Sequence, residues 1–302
     1  NNLMRKYAIP NMRLGATSFL LHETYVPAVR FAAERCDDVA LLLVEPGEHS
    51  EYLATPGEIA EIGRIIAGES ATLHVHLPTD ADFDTWQGAR SMIGKIRRVA
   101  ELTGPLDPHS FVLHVDFPSL YGTGGEPSAE QQEWTAEALR EIAACLPAPE
   151  RLAVENLETY APSFWDRWLA GTPYSRCLDV GHIWKDGGDP APVLAAWLPR
   201  VRVIHLHGLE PRGSEADAAK PQGQQRAPEK LAERNLSRLF GPRPRDHKSL
   251  RLMPPEFVDD VMHPLWKTGF SGVLNLEVFS VEDFTASHAV LMHSWERYAA
   301  SS

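Results

Sequence analysis

Eight short apolar segments run through the chain, and nearly all of them are separated by stretches long enough for a helix. The second segment, Val-Ala-Leu-Leu-Leu-Val, is typical of a strand that is buried on both faces of a parallel sheet. Strands that alternate with helices predict right-handed βαβ units, and eight such units predict an α/β fold, a closed (β/α)8 TIM barrel. The predicted strands are residues 12–18, 38–44, 71–76, 111–116, 151–156, 174–178, 201–207 and 271–277, and the predicted helices are 26–35, 55–67, 84–102, 129–145, 190–198 and 281–299.

A long segment interrupts this alternation after the seventh predicted strand. Residues 209–251, called the excursion below, are rich in proline, glycine, glutamine and charge, with a helical pattern near 228–239. Loops that follow barrel strands lie at the C-terminal face of the barrel. The excursion is therefore expected there, either as a loop that covers a substrate or as a disordered surface insertion. We predict a single (β/α)8 domain over residues 1–302 that carries this insertion.

Seven of the eight predicted strands finish in an acidic residue or a histidine. The C-terminal strand ends form the catalytic face of a barrel, so these side chains are expected to converge. Imidazoles and carboxylates bind borderline metals such as Zn²⁺ or Mn²⁺, and an ion would relieve the repulsion among several acids in one pocket. The residues at these ends are Glu45, His76, His114 with Asp116, Glu155, Asp179 with His182, His205 with His207, and Glu277.

Each of these residues also has a plainer explanation. Asp179 could cap a helix, with His182 as a surface histidine. His74 and His205 lie two residues before other histidines on the same strand face, so they could be packed in the core. The glutamates could form salt bridges at the barrel rim. The prediction of a metal site therefore depends on the whole set.

Composition limits the partners that we expect. The formal net charge of -12 disfavours a nucleic acid held by its phosphates. The three cysteines form neither a metal-type spacing nor an obvious disulfide set, which fits a reducing cytoplasm. No run of 18 apolar residues is present, so no membrane span is expected.

The strand-end motifs resemble those of the xylose isomerase-like barrels, which include sugar isomerases and epimerases and the endonuclease IV type of apurinic-site nuclease. The resemblance implies one divalent metal held, as in the epimerases, by Glu155, Asp179, His207 and Glu277. The motifs that carry it are Glu155-Asn156, Leu178-Asp179-Val180-Gly181-His182, His205-Leu206-His207-Gly208-Leu209-Glu210 and Asn275-Leu276-Glu277.

The nuclease branch of these barrels has a larger metal site. There, further histidines extend the site to several zinc ions, and His76, His114 and His182 match them. That branch also has an Asp-x-His motif after the seventh strand, whereas Asp246 and His247 are adjacent in this chain. The resemblance thus implies a divalent metal (Zn, Mn, Fe or Co) and leaves the three-zinc arrangement open.

The N-terminal third is similar to cobamide-remodelling phosphodiesterases of the CbiR type, which have the same barrel fold. These enzymes cleave the phosphodiester of the cobamide nucleotide loop, releasing the lower-ligand nucleoside and leaving a cobinamide phosphate. A corrinoid substrate is therefore expected. The similar segments are Arg13-Leu-Gly-Ala-Thr-Ser-Phe19, Val26-Pro-Ala-Val-Arg30, Asp37-Asp38-Val39 with Leu41-Leu-Leu-Val-Glu45, His74-Val-His76-Leu-Pro78 and Asp246-His247-Lys-Ser-Leu250.

This interpretation assigns roles to the remaining candidates. Glu45 or Asp116 would orient the attacking water as a general base, and His182 or His247 would assist the leaving oxygen. The groups expected to hold the phosphodiester and the corrinoid are His205, Arg243, Arg245 and Lys248.

Two other functions stay open. A sugar isomerase or epimerase would use Glu155 and Glu277 as an acid–base pair around one metal-bound ketose. A corrinoid-binding protein without catalytic activity would use a histidine to ligate cobalt.

Overall fold

The computed structural model describes residues 6–43, 53–212, 240 and 243–301, and within them eight parallel strands close into a barrel in the order β1-β10-β7-β6-β5-β4-β3-β2. The predicted (β/α)8 fold is confirmed, whereas the assignment of the whole chain to one domain stays a prediction. The barrel strands are β1 (Arg13–Thr17), β2 (Asp38–Leu42), β3 (Thr72–His76), β4 (Phe111–His114), β5 (Leu152–Glu155), β6 (Ser175–Asp179), β7 (Val201–Leu206) and β10 (Val273–Leu276).

Helices surround the barrel, and the predicted ones begin and end within two residues of their expected bounds. The helix after β2 starts as its sequence predicts, because Thr55 and Glu58 form a capping box ahead of Pro56. The helices are α1 (Tyr25–Ala33), α2 (Pro56–Gly68), α3 (Trp86–Thr103), α4 (Ala129–Ala144), α5 (Pro162–Leu169), α6 (Val180–Lys185), α7 (Pro190–Trp197), α8 (Pro255–Thr268) and α9 (Val281–Ser301), with short 3₁₀ turns at Gly104–Leu106, Pro149–Arg151, Leu198–Arg200 and Leu250–Leu252.

The two ends of the excursion form a hairpin-like sheet that the sequence pattern did not predict. Strand β8 (Gly208–Glu210) follows β7 almost directly and pairs antiparallel with β9 (Arg245–Lys248). The approach is close, since a Cβ on Gly208 would lie 2.2 Å from the carbonyl oxygen of Ser249. The helical pattern at 228–239 and the predicted strand-end residue Glu45 lie outside the described residues.

The inside of the barrel changes from apolar to polar towards the C-terminal ends of its strands. Five neighbouring strands contribute a small buried apolar cluster, and two residues further along each of them stands a polar residue. Residues two apart on a strand face the same side, so the polar residues form the next layer. The pairs are Val112 and His114, Ala153 and Glu155, Cys177 and Asp179, Val203 and His205, and Val273 and Asn275.

The strand register places these polar residues beside one another. Glu155 is the register partner of His114, and His205 is the partner of both Asp179 and Asn275. In the described part of the chain, no helix is apolar and long enough to cross a membrane.

Candidate active site

Glu155, Asp179, His205 and Glu277 meet at the C-terminal mouth of the barrel. The Nδ1 atom of His205 lies 3.2 Å from a Glu155 oxygen, 3.2 Å from a Glu277 oxygen and 3.9 Å from an Asp179 oxygen. All four side chains are buried. Three carboxylates thus converge on one imidazole, so His205 lies among the predicted metal ligands rather than with the basic residues of the excursion.

The second oxygen of Glu155 faces two further histidines. Glu155 Oε2 lies 3.2 Å from His76 Nε2 and 3.1 Å from His114 Nε2. The rings of these two histidines meet edge to face, with their centroids 4.9 Å apart. One carboxylate therefore connects the His205 group to a His76–His114 pair, an arrangement that suits neighbouring metal ions.

A third group surrounds Asp179. Asp179 Oδ1 lies 3.4 Å from His207 Nε2, and its Oδ2 lies 3.5 Å from His182 Nδ1. His247 comes from β9, and its ring centroid is 4.3 Å from that of His207. One nitrogen from each of His182, His207 and His247 lies within 4.8 Å of the others, so these three rings can share an ion.

The local sequence explains how Asp179 serves both the fold and the site. Its Oδ1 accepts a hydrogen bond of 2.7 Å from the His182 backbone nitrogen and so caps α6. The expected capping role is therefore real. His182, however, is only 6% exposed and faces the pocket, so it is not a surface histidine.

Gly181 is needed for packing rather than for a bend in the chain. It lies inside α6, and a Cβ built on it would lie 2.0 Å from the Cε1 atom of His207. Because any larger residue would occupy the space of that ring, the glycine allows His207 to approach the helix.

Asn156 fixes the relative positions of two strand ends, a role that the sequence did not reveal. Its side chain donates to the Asp179 carbonyl oxygen (2.8 Å) and accepts from the Asp179 backbone nitrogen (2.9 Å). The backbone carbonyl oxygen of Asn156 lies 2.9 Å from His182 Nδ1. A buried amide that follows a strand-end glutamate was the available signal, because such a group must find partners nearby.

Glu158 was also missed, although it is an acidic residue in the loop after β5. Its Oε2 lies 3.5 Å from His182 Nε2. Burial lowers the pKa of His182, but the carboxylates of Asp179, Glu158 and Glu155 outweigh burial and raise that pKa to about 9. For Glu155, burial raises the pKa, but the stronger combined effect of His205 and His114 brings that pKa well below its usual value. The carboxylates and imidazoles at the mouth thus shift one another's pKa values.

The donor set fits a bound metal. Several buried atoms have no hydrogen-bond partner among the described residues, and an ion would satisfy them. To offer Nε2 to an ion, His207 must carry its proton on Nδ1, which can then donate to the Gly208 carbonyl oxygen 3.3 Å away. The hydrogen bond that Nδ1 accepts from the His247 backbone nitrogen, at 3.0 Å in this structure, would then be given up. The buried atoms without such a partner at this site are Asp179 Oδ2, His205 Nε2, His207 Nε2 and Glu277 Oε2.

Asp116 stands beside this pocket rather than within its ligand groups. It lies two residues beyond His114, and its Oδ1 accepts a 2.6 Å hydrogen bond from the Tyr160 hydroxyl. Burial raises the pKa of Asp116 despite that hydrogen bond. Its position is compatible with the predicted role of a base that orients water.

The predicted basic residues of the excursion are partly neutralised within the hairpin. Arg245 Nη1 lies 3.9 Å and Lys248 Nζ 3.6 Å from Glu210 Oε2 on the facing strand. Arg243 lies just before β9, with a φ of 67°. Asp246 is paired with Lys185 of α6, so it does not stand among the ligand groups as the Asp-x-His motif of the nucleases would require.

A separate polar group lies towards the N-terminal ends of the strands. Asp38 Oδ1 is 2.5 Å from His74 Nδ1, and Asp38 Oδ2 is 2.9 Å from His109 Nε2. Asp38 and His74 are fully buried. His74 is thus a core histidine held by a carboxylate, as its plainer explanation suggested.

Comparisons with known proteins identify the fold. No family model matches the sequence, and no curated protein matches it. Among solved structures, a D-tagatose 3-epimerase-like protein is similar with a TM-score of 0.65 and 17% identity, covering 96% of this chain and 99% of that one. A xylose isomerase domain protein from Planctomyces limnophilus gives 0.63 and 10%, covering 98% and 99%. An L-ribulose 3-epimerase gives 0.63 and 14%, covering 96% and 98%. At these identities the likeness concerns the fold alone, and this chain has the fold of the xylose isomerase-like barrels.

Proposed function

We propose that this protein is a metal-dependent phosphodiester hydrolase that acts on the nucleotide loop of a cobamide. The observation that carries the proposal is the number of imidazoles at the barrel mouth. Glu155, Asp179 and Glu277 with a single histidine would suffice for one metal ion. Besides His205, the mouth gathers five further histidines. Two of them, His76 and His114, face Glu155, and the other three form the group around Asp179, namely His182, His207 and His247.

A site with several ions suits phosphate chemistry. When bound, divalent metals lower the pKa of water to about 7 and offset the charge of phosphoryl oxygens. A site for a single ketose needs fewer ligands, because one ion can hold adjacent oxygens of a sugar. The additional histidines therefore favour the phosphodiesterase over the isomerase.

The chain's own groups can move protons at the edge of this pocket. In the protein without metal, the carboxylates of Asp179 and Glu158 raise the pKa of His182 despite its burial. As the general acid His182 would donate this proton to the leaving oxygen, and the ions would then be held by the other histidines and the carboxylates. Asp116 accepts a hydrogen bond from Tyr160 on one oxygen, and burial raises its pKa, which suits a base that takes a proton from water. These assignments agree with the roles expected for the base and the acid of phosphodiester hydrolysis.

The cobamide specificity rests on the resemblance of the N-terminal third and on the hairpin beside the pocket. Strand β9 brings His247 to within 3.6 Å of a Glu277 oxygen, so the excursion contributes to the mouth itself. A cobamide is large, and only its nucleotide tail would enter the barrel while the ring stays outside against the loops.

A sugar isomerase or epimerase is the second candidate, and the fold comparisons favour it. The similar structures include epimerases and a xylose isomerase domain protein. Glu155 and Glu277 each approach His205 Nδ1 to 3.2 Å, so both carboxylates reach one point, as an acid–base pair around one ketose would.

One experiment separates the candidates. The protein, loaded in turn with Zn²⁺, Mn²⁺ or Co²⁺, is incubated in H₂¹⁸O with an intact cobamide and, in parallel, in D₂O with ketoses. We expect a nucleoside and a cobinamide phosphate that carries one ¹⁸O, and no deuterium in the sugars. Glu155→Gln should abolish the cleavage.

Other outcomes would count against the proposal. Deuterium incorporation into a ketose without any cobamide cleavage would establish the epimerase instead. Tight binding of a cobamide that is recovered intact with every metal would establish the binding protein.

A further inference from the structure

A lysine joins the excursion strand β9 to the barrel. Lys185 is the last residue of α6, and its ammonium lies between two carboxylates. It donates a 2.9 Å hydrogen bond to Glu158 Oε1 and a second hydrogen bond to Asp246 Oδ2. The side chains are only 18% exposed for Lys185 and Glu158 and 25% for Asp246. Charges so far withdrawn from water interact more strongly than exposed pairs.

The two carboxylates belong to different parts of the site. Glu158 lies in the loop after β5 and faces His182 with its other oxygen. Asp246 lies in β9, directly before His247. Lys185 therefore connects the strand that carries one pocket histidine to the loop that supports another.

The ion pairs of Arg245 and Lys248 with Glu210 act within the hairpin. Both reach Glu210 in β8, so these two ion pairs join β9 to β8. The segment after β9 is anchored at its far end, where the Leu250 backbone nitrogen donates to Ser287 Oγ at 2.9 Å. Within β9, His247 contacts the barrel itself, since its backbone nitrogen donates to His207 Nδ1 at 3.0 Å and its own Nδ1 lies 3.1 Å from the Glu277 carbonyl oxygen. Lys185 adds a charged contact to the barrel one residue earlier, at Asp246.

We propose that Lys185 is a positioning residue, which binds Asp246 and thereby holds the His247 ring against His207 and beside Glu277. The same contact turns the Asp246 carboxylate away from the ligand groups. This inference deepens the proposed function and rests on it only for the kinetic part of its test. The structural part needs no substrate.

The test compares Lys185→Met with Lys185→Arg in the full chain. Amide hydrogen exchange of residues 245–248, followed by mass spectrometry, reports how firmly β9 is held. We expect Lys185→Met to speed this exchange roughly 10-fold, because local opening becomes easier when its ion pair is lost. Lys185→Arg should restore slow exchange. Lys95→Met is the matched control, because Lys95 is a buried lysine of α3 that pairs with Asp80. It should leave the exchange of residues 245–248 unchanged.

A double variant assigns the effect to the pair. Asp246→Asn should speed exchange as much as Lys185→Met, and combining them should add nothing further. On a cobamide, Lys185→Met should lower kcat/KM roughly 10-fold through kcat, with recovery in Lys185→Arg. If no cobamide is cleaved by the wild type, the proposed function fails while the exchange result still decides the role of Lys185.

Two results would overturn the inference. The first is unchanged exchange of residues 245–248 in Lys185→Met, which would mean that β9 is held by other contacts. The second is a loss of bound metal in Asp246→Asn without faster exchange, measured by elemental analysis. Asp246 would then be a metal ligand, and Lys185 would not be its positioning partner.

Discussion

Gly181→Ala should lower activity roughly 100-fold while leaving the protein folded. The added Cβ would lie 2.0 Å from His207 Cε1, 2.2 Å from Nε2 and 2.4 Å from Nδ1. Ordinary contacts begin near 3.4 Å, so the ring must retreat by about 1.4 Å. His207 is fully buried with the His247 ring 4.3 Å away, which makes that retreat difficult.

The expected changes in unfolding free energy and in reaction rate can be compared for Gly181→Ala. Overpacking a buried site costs about 1–3 kcal/mol of unfolding free energy, and alanine regains about 1 kcal/mol over glycine in a helix. The net loss of stability is therefore about 0–2 kcal/mol. A misplacement of about 1 Å in a catalytic constellation lowers the rate roughly 100-fold, which corresponds to about 2.7 kcal/mol in the activation barrier. The expected loss in the activation barrier therefore exceeds the expected loss of unfolding free energy.

The assay measures kcat/KM on a cobamide, bound metal by elemental analysis and the midpoint of thermal unfolding. Gly94→Ala is the control, because it lies in the interior of α3 and its Cβ would meet only the end of Arg98, at 3.7 Å. That variant should keep its activity and gain slightly in stability. If Gly181→Ala keeps wild-type kcat/KM and metal content, His207 is not needed where the structure places it, and the reasoning is refuted.

Three further predictions concern the same site. Asn156→Ala should lower the unfolding free energy by about 2 kcal/mol, because it removes two buried hydrogen bonds to the Asp179 backbone at about 1 kcal/mol each. Chemical denaturation measures this free energy, and a loss below about 0.5 kcal/mol would contradict the prediction. The pKa of His182 is raised to about 9 from about 6.5, so its contribution to the stability of the metal-free protein is fully present below about pH 6.5 and is lost as pH rises to about 9. Thermal unfolding of the metal-free protein between these pH values should show a decline that is smaller in His182→Gln, and equal declines in both proteins would exclude the effect. His247→Ala should lower kcat/KM on a cobamide roughly 10-fold, since the ring that faces Glu277 is lost. A variant with wild-type kcat/KM would show that the excursion does not contribute to catalysis through His247.

The sequence by itself determined the barrel and most of its mouth. Alternating apolar strands and helices allow few arrangements, and the two-residue period within each strand fixes which side chains face inward. For that reason His114, Glu155, Asp179 and His205 could be placed at strand ends without any knowledge of their partners. Local capping was equally readable, as at Thr55, because its partner Glu58 is three residues away.

The tertiary structure alone decided which of these groups touch. The antiparallel pairing of β8 with β9, the Lys185–Asp246 contact across 61 residues and the fit of His207 against Gly181 all join segments that are distant in sequence. No local pattern encodes such pairs, since each depends on how the closed barrel orients its loops. The physical reason is that periodicity fixes the direction of a side chain, whereas its neighbours follow only from packing.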